Sequence, residues 1–340
     1  MPLTIRLHGI GDLRLTDEAR NDPVQEGWSR IAVTSVGICG SDLHWFTEGG
    51  IGELGLEYPV VPGHEFAAVA LDGPYAGRRV AVDPAIPCGG CEQCHAGHGN
   101  LCPDIVFAGN GSFDGALQEQ LAWPENLLHP LPDELSDDAG ALLEPLGVAI
   151  HAVGLAHVRL GDDVLVVGAG PVGLLSAAVA YRSGAGRVFV SEPLAHRQET
   201  ARRLGAEEVW APEAVADGLA EATAGRGVDV VIEMAGTDDA IATAVRSARP
   251  GARIALGGIP SEVTSSFPAA EARRKGLTFT MVRRMHDTYP PAIALATSGI
   301  DLDELVTARF PLADATAAFA AAAARHGDKT VVEVSRGPGR

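Results

Sequence analysis

The run Gly37-Ile38-Cys39-Gly40-Ser41-Asp42-Leu43-His44 is answered some twenty positions later by Gly63-His64-Glu65. A thiol, an imidazole and a carboxylate on two short glycine-flanked turns make a mixed S/N/O ligand set. Zinc accepts such a set when one coordination position must stay open for water or substrate. Ser41 and His44, beside the thiol, are placed to carry a proton away. Taken alone, the two fragments would equally suit a buried structural cysteine and an unrelated His–Glu pair. The rest of the chain decides between these readings.

Cys88-Gly-Gly-Cys91-Glu-Gln-Cys94 continues to Cys102, so that four thiols fall within a 15-residue lobe whose glycines let the backbone fold back. Four sulfurs close a tetrahedral thiolate cage, and a closed cage is structural because no position is left for a substrate. An iron–sulfur cluster is the first rival. Pro103 suits it, but the interval between Cys94 and Cys102 is too long for the bacterial cluster pattern. A nucleic-acid zinc ribbon is the second, yet no basic Lys or Arg lies between Cys88 and Cys102. Structural zinc is the reading that survives, with His95 and His98 as exposed lobe residues.

Glu144 is one acid in the otherwise apolar stretch 141–151. An ionised carboxylate buried there needs a partner or a metal to offset its desolvation. A helix-surface glutamate facing water is the alternative, and the incomplete zinc set upstream favours the metal.

At Asp163-Val-Leu-Val-Val167 the pattern changes to a buried strand. A glycine turn follows, Gly168-Ala169-Gly170-Pro171-Val172-Gly173, and then an amphipathic helix. In this setting the glycines give a tight turn, close approach of a pyrophosphate and close helix–strand packing, with the helix N-terminus facing the negative charge. The next strand, 187–191, ends at Glu192, where a carboxylate hydrogen-bonds a ribose 2′-hydroxyl and repels a 2′-phosphate. This favours NAD over NADP. Arg197 tempers the preference if it turns toward the cofactor rather than to solvent from the helix 197–204. Further units follow: strand 228–233, helix 238–248, and strand 253–256 running into Gly257-Gly258. Alternating strands and helices imply a doubly wound parallel sheet.

The elements before this sheet read as short β-strands, such as 29–34, 66–70 and 78–82, between Gly- and Pro-rich turns. The alternating stretch 329–334 is expected to return to that first region, and residues 336–340 read as a tail. A chain of 340 residues is long enough for two domains. Its 26 basic and 44 acidic residues give a net charge of −18, which opposes nucleic acid and anionic membrane as partners. No secretory signal and no membrane-spanning apolar run is visible, so a cytoplasmic protein is expected, where closely spaced cysteines serve as metal ligands more often than as disulfides.

Together these runs, with Glu144-Pro145-Leu146 and Thr288-Tyr289-Pro290, resemble the zinc-dependent medium-chain dehydrogenase/reductase superfamily, and within it the polyol branch of the sorbitol (L-iditol) and xylitol dehydrogenases. The resemblance covers essentially the whole chain. It implies an α/β fold: a GroES-like, β-rich catalytic domain from 1–148 and 286–340, and a Rossmann coenzyme domain over 149–285. It implies two zinc ions per chain, a small-molecule alcohol as substrate, and a homodimer or homotetramer. Matched residue by residue, Cys39 and His64 are zinc ligands and Glu65 a third, direct or exchanging with water. Glu144 is the polyol-type replacement of a second cysteine near the metal. Ser41 and His44 match the proton relay. Trp45 stands where many sorbitol enzymes have tyrosine, and Arg283-Arg284 doubles the arginine that holds a substrate hydroxyl. A cyclitol, a sugar acid or an amino-alcohol therefore stays open beside a free polyol as substrate.

Overall fold

The computed structural model describes residues 2–17, 25–52, 54–55, 59–110 and 113–335; the expected tail, 336–340, lies outside them. The chain divides into two compact units: Met1–Glu144 with Tyr289–Arg340, and Pro145–Thr288.

The first unit is built on a seven-stranded sheet. Its spine is Trp28–Gly37, in which Ile31 and Val33 point into the core while Arg30 faces out, the alternation of a half-buried strand. Neighbouring strands are Glu65–Ala70 and then Arg79–Val82 on one side, and Lys329–Glu333 and then Val306–Pro311 on the other. The far end of the chain thus completes the sheet, with Val331 opposite Gly37 and Glu333 opposite Ser35. Every residue of Glu65–Ala70 is buried, because the short helix Asp137–Ala141 covers its outer face and brings Gly140 against Ala67. Trp123, Phe66, Val80, Val82, Phe319 and Val332 fill the core on the other face.

The second unit carries six parallel strands in the order Glu208–Trp210, Arg187–Ser191, Asp163–Val167, Val228–Glu233, Ala248–Leu256, Thr278–Met281. This is the 3-2-1-4-5-6 order of a dinucleotide-binding fold. Asp163–Val167 and Val228–Glu233 are buried along their whole length, as strands covered by helices on both faces must be. The strand read as 253–256 begins earlier, at Ala248: Arg249, Pro250 and Gly251 obscure its period, and pairing with Val228–Glu233 overrides their weak β preference.

Candidate active site and metal centres

Cys39 lies two residues beyond the spine strand and caps the helix Gly40–Glu48. Asp42, at the third helical position, accepts the Cys39 backbone N–H through Oδ2 at 3.0 Å, closing a capping box. The same carboxylate, 1% exposed, uses Oδ1 to accept the Gly63 N–H at 3.3 Å and lies 3.4 Å from His64 Nδ1. One buried acid therefore fixes both ligand turns. It also orients the imidazole, leaving Nε2 for a metal, the carboxylate–histidine arrangement of zinc sites. Burial works against the charge on Asp42, but His64 and the two backbone donors outweigh it and hold the carboxyl below its usual range. Burial likewise works against a charged His64, and Asp42 and Cys39 overcome it, raising the imidazole well above its ordinary value. The surroundings of this histidine call for a positive charge.

The ligand atoms of Cys39, His64 and Glu65 lie within 4.8 Å of one another. Glu65 ion-pairs with Lys329, each side chain 1% exposed, and the Lys329 ammonium also donates to the Ile38 carbonyl at 2.9 Å. Glu144, in the first turn of Leu143–Leu155, stands outside that ligand-distance group but is 5% exposed and not a water-facing glutamate. Burial, with the charge of Glu65 adding to it, pushes its carboxyl up to about 8 against the opposing pull of His64 and Lys329. Ser41 Oγ lies 3.5 Å from His64 Nε2. His44 Nδ1 lies 3.0 Å from Glu48 Oε2, on a helix face where its side chain keeps 20% exposure. Trp45 packs with Leu7 and Val60 in an apolar cluster at 4% exposure.

Asp42, Lys329 and Glu48 were not singled out in the sequence. The capping-box spacing from Cys39 to Asp42 was a usable signal for the first. For Lys329 the signal was its position as one of only two lysines in the chain.

In the lobe, Cys91 caps the short helix Glu92–His95 and accepts the Cys94 N–H at 3.4 Å, while the Cys88 N–H points to Cys102 Sγ at 3.4 Å. Sulfur separations of 3.5 Å (Cys91–Cys94) and 4.0 Å (Cys88–Cys94) bracket the roughly 3.8 Å edge of a tetrahedron with Zn–S bonds of about 2.3 Å. The Gly90 backbone N–H, with Cys102, lowers the Cys88 thiol to about 7, whereas burial and the neighbouring thiols push Cys94 up to about 12. Four sulfurs this close compete for protons, and a dication lets all of them ionise. His95 and His98 are exposed.

In the second unit, Gly168 adopts φ 91° and any Cβ on Gly173 would strike the Gly168 carbonyl, so the first helix packs directly on the turn. Gly170 caps the helix Pro171–Arg182, leaving its N-terminal N–H groups for an anion, with Val172 in the first turn. Glu192, 3% exposed, accepts the Ala169 N–H at 2.8 Å and the Leu194 N–H at 2.9 Å. Arg197 is half-buried, and its guanidinium lies 3.9 Å from where a Gly170 Cβ would stand, so it turns toward the glycine loop and not to solvent. Gly257 donates to the Glu233 carbonyl at 2.8 Å. Of the paired arginines, Arg283 is exposed, while Arg284 is half-buried with φ 57°.

A mixed thiol–imidazole–carboxylate cluster, a separate four-sulfur cage and a dinucleotide fold define a zinc-dependent, nicotinamide-linked dehydrogenase. Residues 25–133 match the alcohol dehydrogenase GroES-like domain and 171–298 the zinc-binding dehydrogenase domain. The chain is 37% identical to a probable D-xylulose reductase A of Neosartorya fischeri, over 97% of this chain and 96% of that one. It is 36% identical to the sorbitol dehydrogenase of Bacillus subtilis, over 83% and 82% respectively. Among solved structures, an Escherichia coli oxidoreductase/dehydrogenase of unknown specificity superposes with a TM-score of 0.92 at 29% identity, covering 99% of this chain and all of that one. The chain belongs to the zinc-dependent medium-chain dehydrogenase/reductase family, in its polyol dehydrogenase branch. No helix among the described residues is long and apolar enough to cross a membrane.

Proposed function

We propose that this enzyme interconverts a secondary alcohol of a polyol and the corresponding ketose, with NAD preferred over NADP. The observation that carries the reading is the Cys39–His64–Glu65 cluster, its histidine and carboxylate buried, together with a further buried glutamate, Glu144, in the first turn of Leu143–Leu155. When bound, zinc polarises the alcohol oxygen and NAD accepts the hydride. Cys39, His64 and Glu65 would hold the metal, with Glu144 beside it. Asp42 fixes the imidazole tautomer, and Lys329 balances the charge of Glu65. Ser41 takes the alcohol proton, and His44, hydrogen-bonded to Glu48 and partly open to water, passes it on. Gly168, Gly170, Pro171 and Val172 would hold the pyrophosphate, with Glu192 on the adenosine ribose. The Glu192 carboxylate supports NAD, while the nearby Arg197 tempers that preference.

A catalytic domain from 1–148 and 286–340 and a coenzyme domain over 149–285 belong to the same reading; the compact units themselves divide after Glu144 and after Thr288. Arg284, the more buried of the pair, is the better candidate for holding a substrate hydroxyl. Homodimer or homotetramer assembly and a cytoplasmic location complete the reading, with nucleic acid and membrane excluded as partners by charge. The test is NAD reduction with sorbitol, xylitol, L-iditol, L-idonate, inositols and threonine, with and without a chelator. Chelator-sensitive turnover on a polyol is expected. Turnover confined to an inositol, threonine or L-idonate would replace the polyol with a cyclitol, amino-alcohol or sugar acid.

A further inference from the structure

The second unit contains a buried acid that neither the zinc chemistry nor the glycine turn uses. Glu233 closes the strand Val228–Glu233 and is 1% exposed. Its side chain accepts two backbone N–H groups through Oε1, from Ala235 at 2.6 Å and Gly236 at 2.7 Å. Its carbonyl accepts two more, from Gly257 at 2.8 Å and Gly258 at 3.0 Å. One residue thus ties the turn after its own strand to the turn after Ala248–Leu256. The two turns meet backbone to backbone. A Cβ on Gly258 would overlap the Gly236 nitrogen and come within 2.8 Å of Glu233 Oε2, and one on Gly257 would come within 2.7 Å of Met234 Sδ. A carboxylate desolvated at a strand end is costly: burial raises the Glu233 carboxyl above its ordinary value, and the N–H groups of Gly236 and Ala235 only partly oppose it.

The position of these turns gives the brace a use. Strand order reverses beside Asp163–Val167, and a dinucleotide straddles that point across the carboxyl ends of the strands. The glycine turn and Glu192 lie on the side of Arg187–Ser191, which assigns that side to the adenosine half. The nicotinamide half then falls on the ends of Val228–Glu233 and Ala248–Leu256, where Glu233 fixes the backbone. We propose that Glu233 is a positioning residue for the nicotinamide half of the coenzyme, holding turns 234–236 and 257–259 in the shape that receives it. The inference rests on the coenzyme reading above.

The test compares two ligands on the zinc-loaded protein: NADH, followed by fluorescence titration, and ADP-ribose, which carries the adenosine half alone, followed by calorimetry. In Glu233→Gln, which keeps the volume and the acceptor oxygen but not the charge, NADH should bind roughly tenfold more weakly. ADP-ribose affinity and the thermal midpoint should stay at wild-type values. Glu233→Ala should widen the gap between the two ligands, and its retained ADP-ribose binding would certify the fold. Unchanged NADH affinity, or equal losses for both ligands, would overturn the assignment and leave only a structural brace. A wild-type protein that bound neither ligand would instead overturn the coenzyme reading itself.

Discussion

The two cysteine-containing clusters of the first unit are built in opposite ways. The lobe draws all its ligands from one 15-residue stretch, fixes them with local backbone bonds, and leaves Cys88 exposed. The mixed cluster joins a half-buried Cys39 to the buried His64 and Glu65 and draws its support from the surrounding fold, with Asp42 bridging two turns and Lys329 arriving from the last strand. A cage that only has to close can be local. A site that must keep a position open has to be held rigid by the surrounding fold, because its own ligands do not complete it.

That contrast can be broken by mutation, and the largest effect belongs to the mixed cluster. Cys39→Ser is expected to lower turnover by roughly three orders of magnitude, with far-ultraviolet circular dichroism unchanged because the lobe keeps its own metal. Lys329→Met strands Glu65 as a buried, uncompensated charge. Urea denaturation of metal-free protein should show a loss of about 3–5 kcal/mol, and added zinc should shrink the deficit if Glu65 is a ligand. A deficit unaffected by zinc would argue that Glu65 stays outside the metal shell. Asp42→Asn should weaken zinc binding at the mixed cluster by about 10–100-fold in a chelator competition while leaving the lobe untouched.

The smallest expected effect lies outside both clusters and sets the baseline for pH studies. His129 stacks on Tyr289 with centroids 4.2 Å apart, and burial lowers its imidazole to about 4. Charging it is therefore harder in the folded state than in the unfolded one. Its contribution is full above the ordinary histidine value of about 6.5 and is lost as pH falls toward 4. His129→Phe should lose less stability than the wild type between pH 7 and pH 5, read from denaturation midpoints; parallel losses would refute the assignment.

The lobe and the glycine turn were legible in the sequence because each is a local device whose spacing carries its geometry. Strands such as Arg187–Ser191 and Val228–Glu233 were equally plain, being buried apolar runs with sharp ends. The supporting residues were hidden for a physical reason. Lys329 meets Glu65 only after the last strand has paired with Trp28–Gly37, across 264 positions of chain (329 − 65). Asp42 reads as an ordinary helix-start acid until Gly63 and His64 are brought against it. Glu233 reads as a strand terminus until two turns close over it. Arg197 was open between solvent and cofactor, and only the packing of its helix turns it toward Gly170.

The division between an open mixed site held by the surrounding fold and a closed, local cage is tested most directly by zinc X-ray absorption on the wild type and on Cys39→Ser, with NAD reduction measured on the same samples. The wild type should show mixed sulfur and nitrogen/oxygen ligation. The variant should retain about one zinc per chain in an all-sulfur shell and reduce NAD roughly a thousandfold more slowly. A variant that kept nitrogen or oxygen ligands on its zinc, or that turned over near the wild-type rate, would contradict that division.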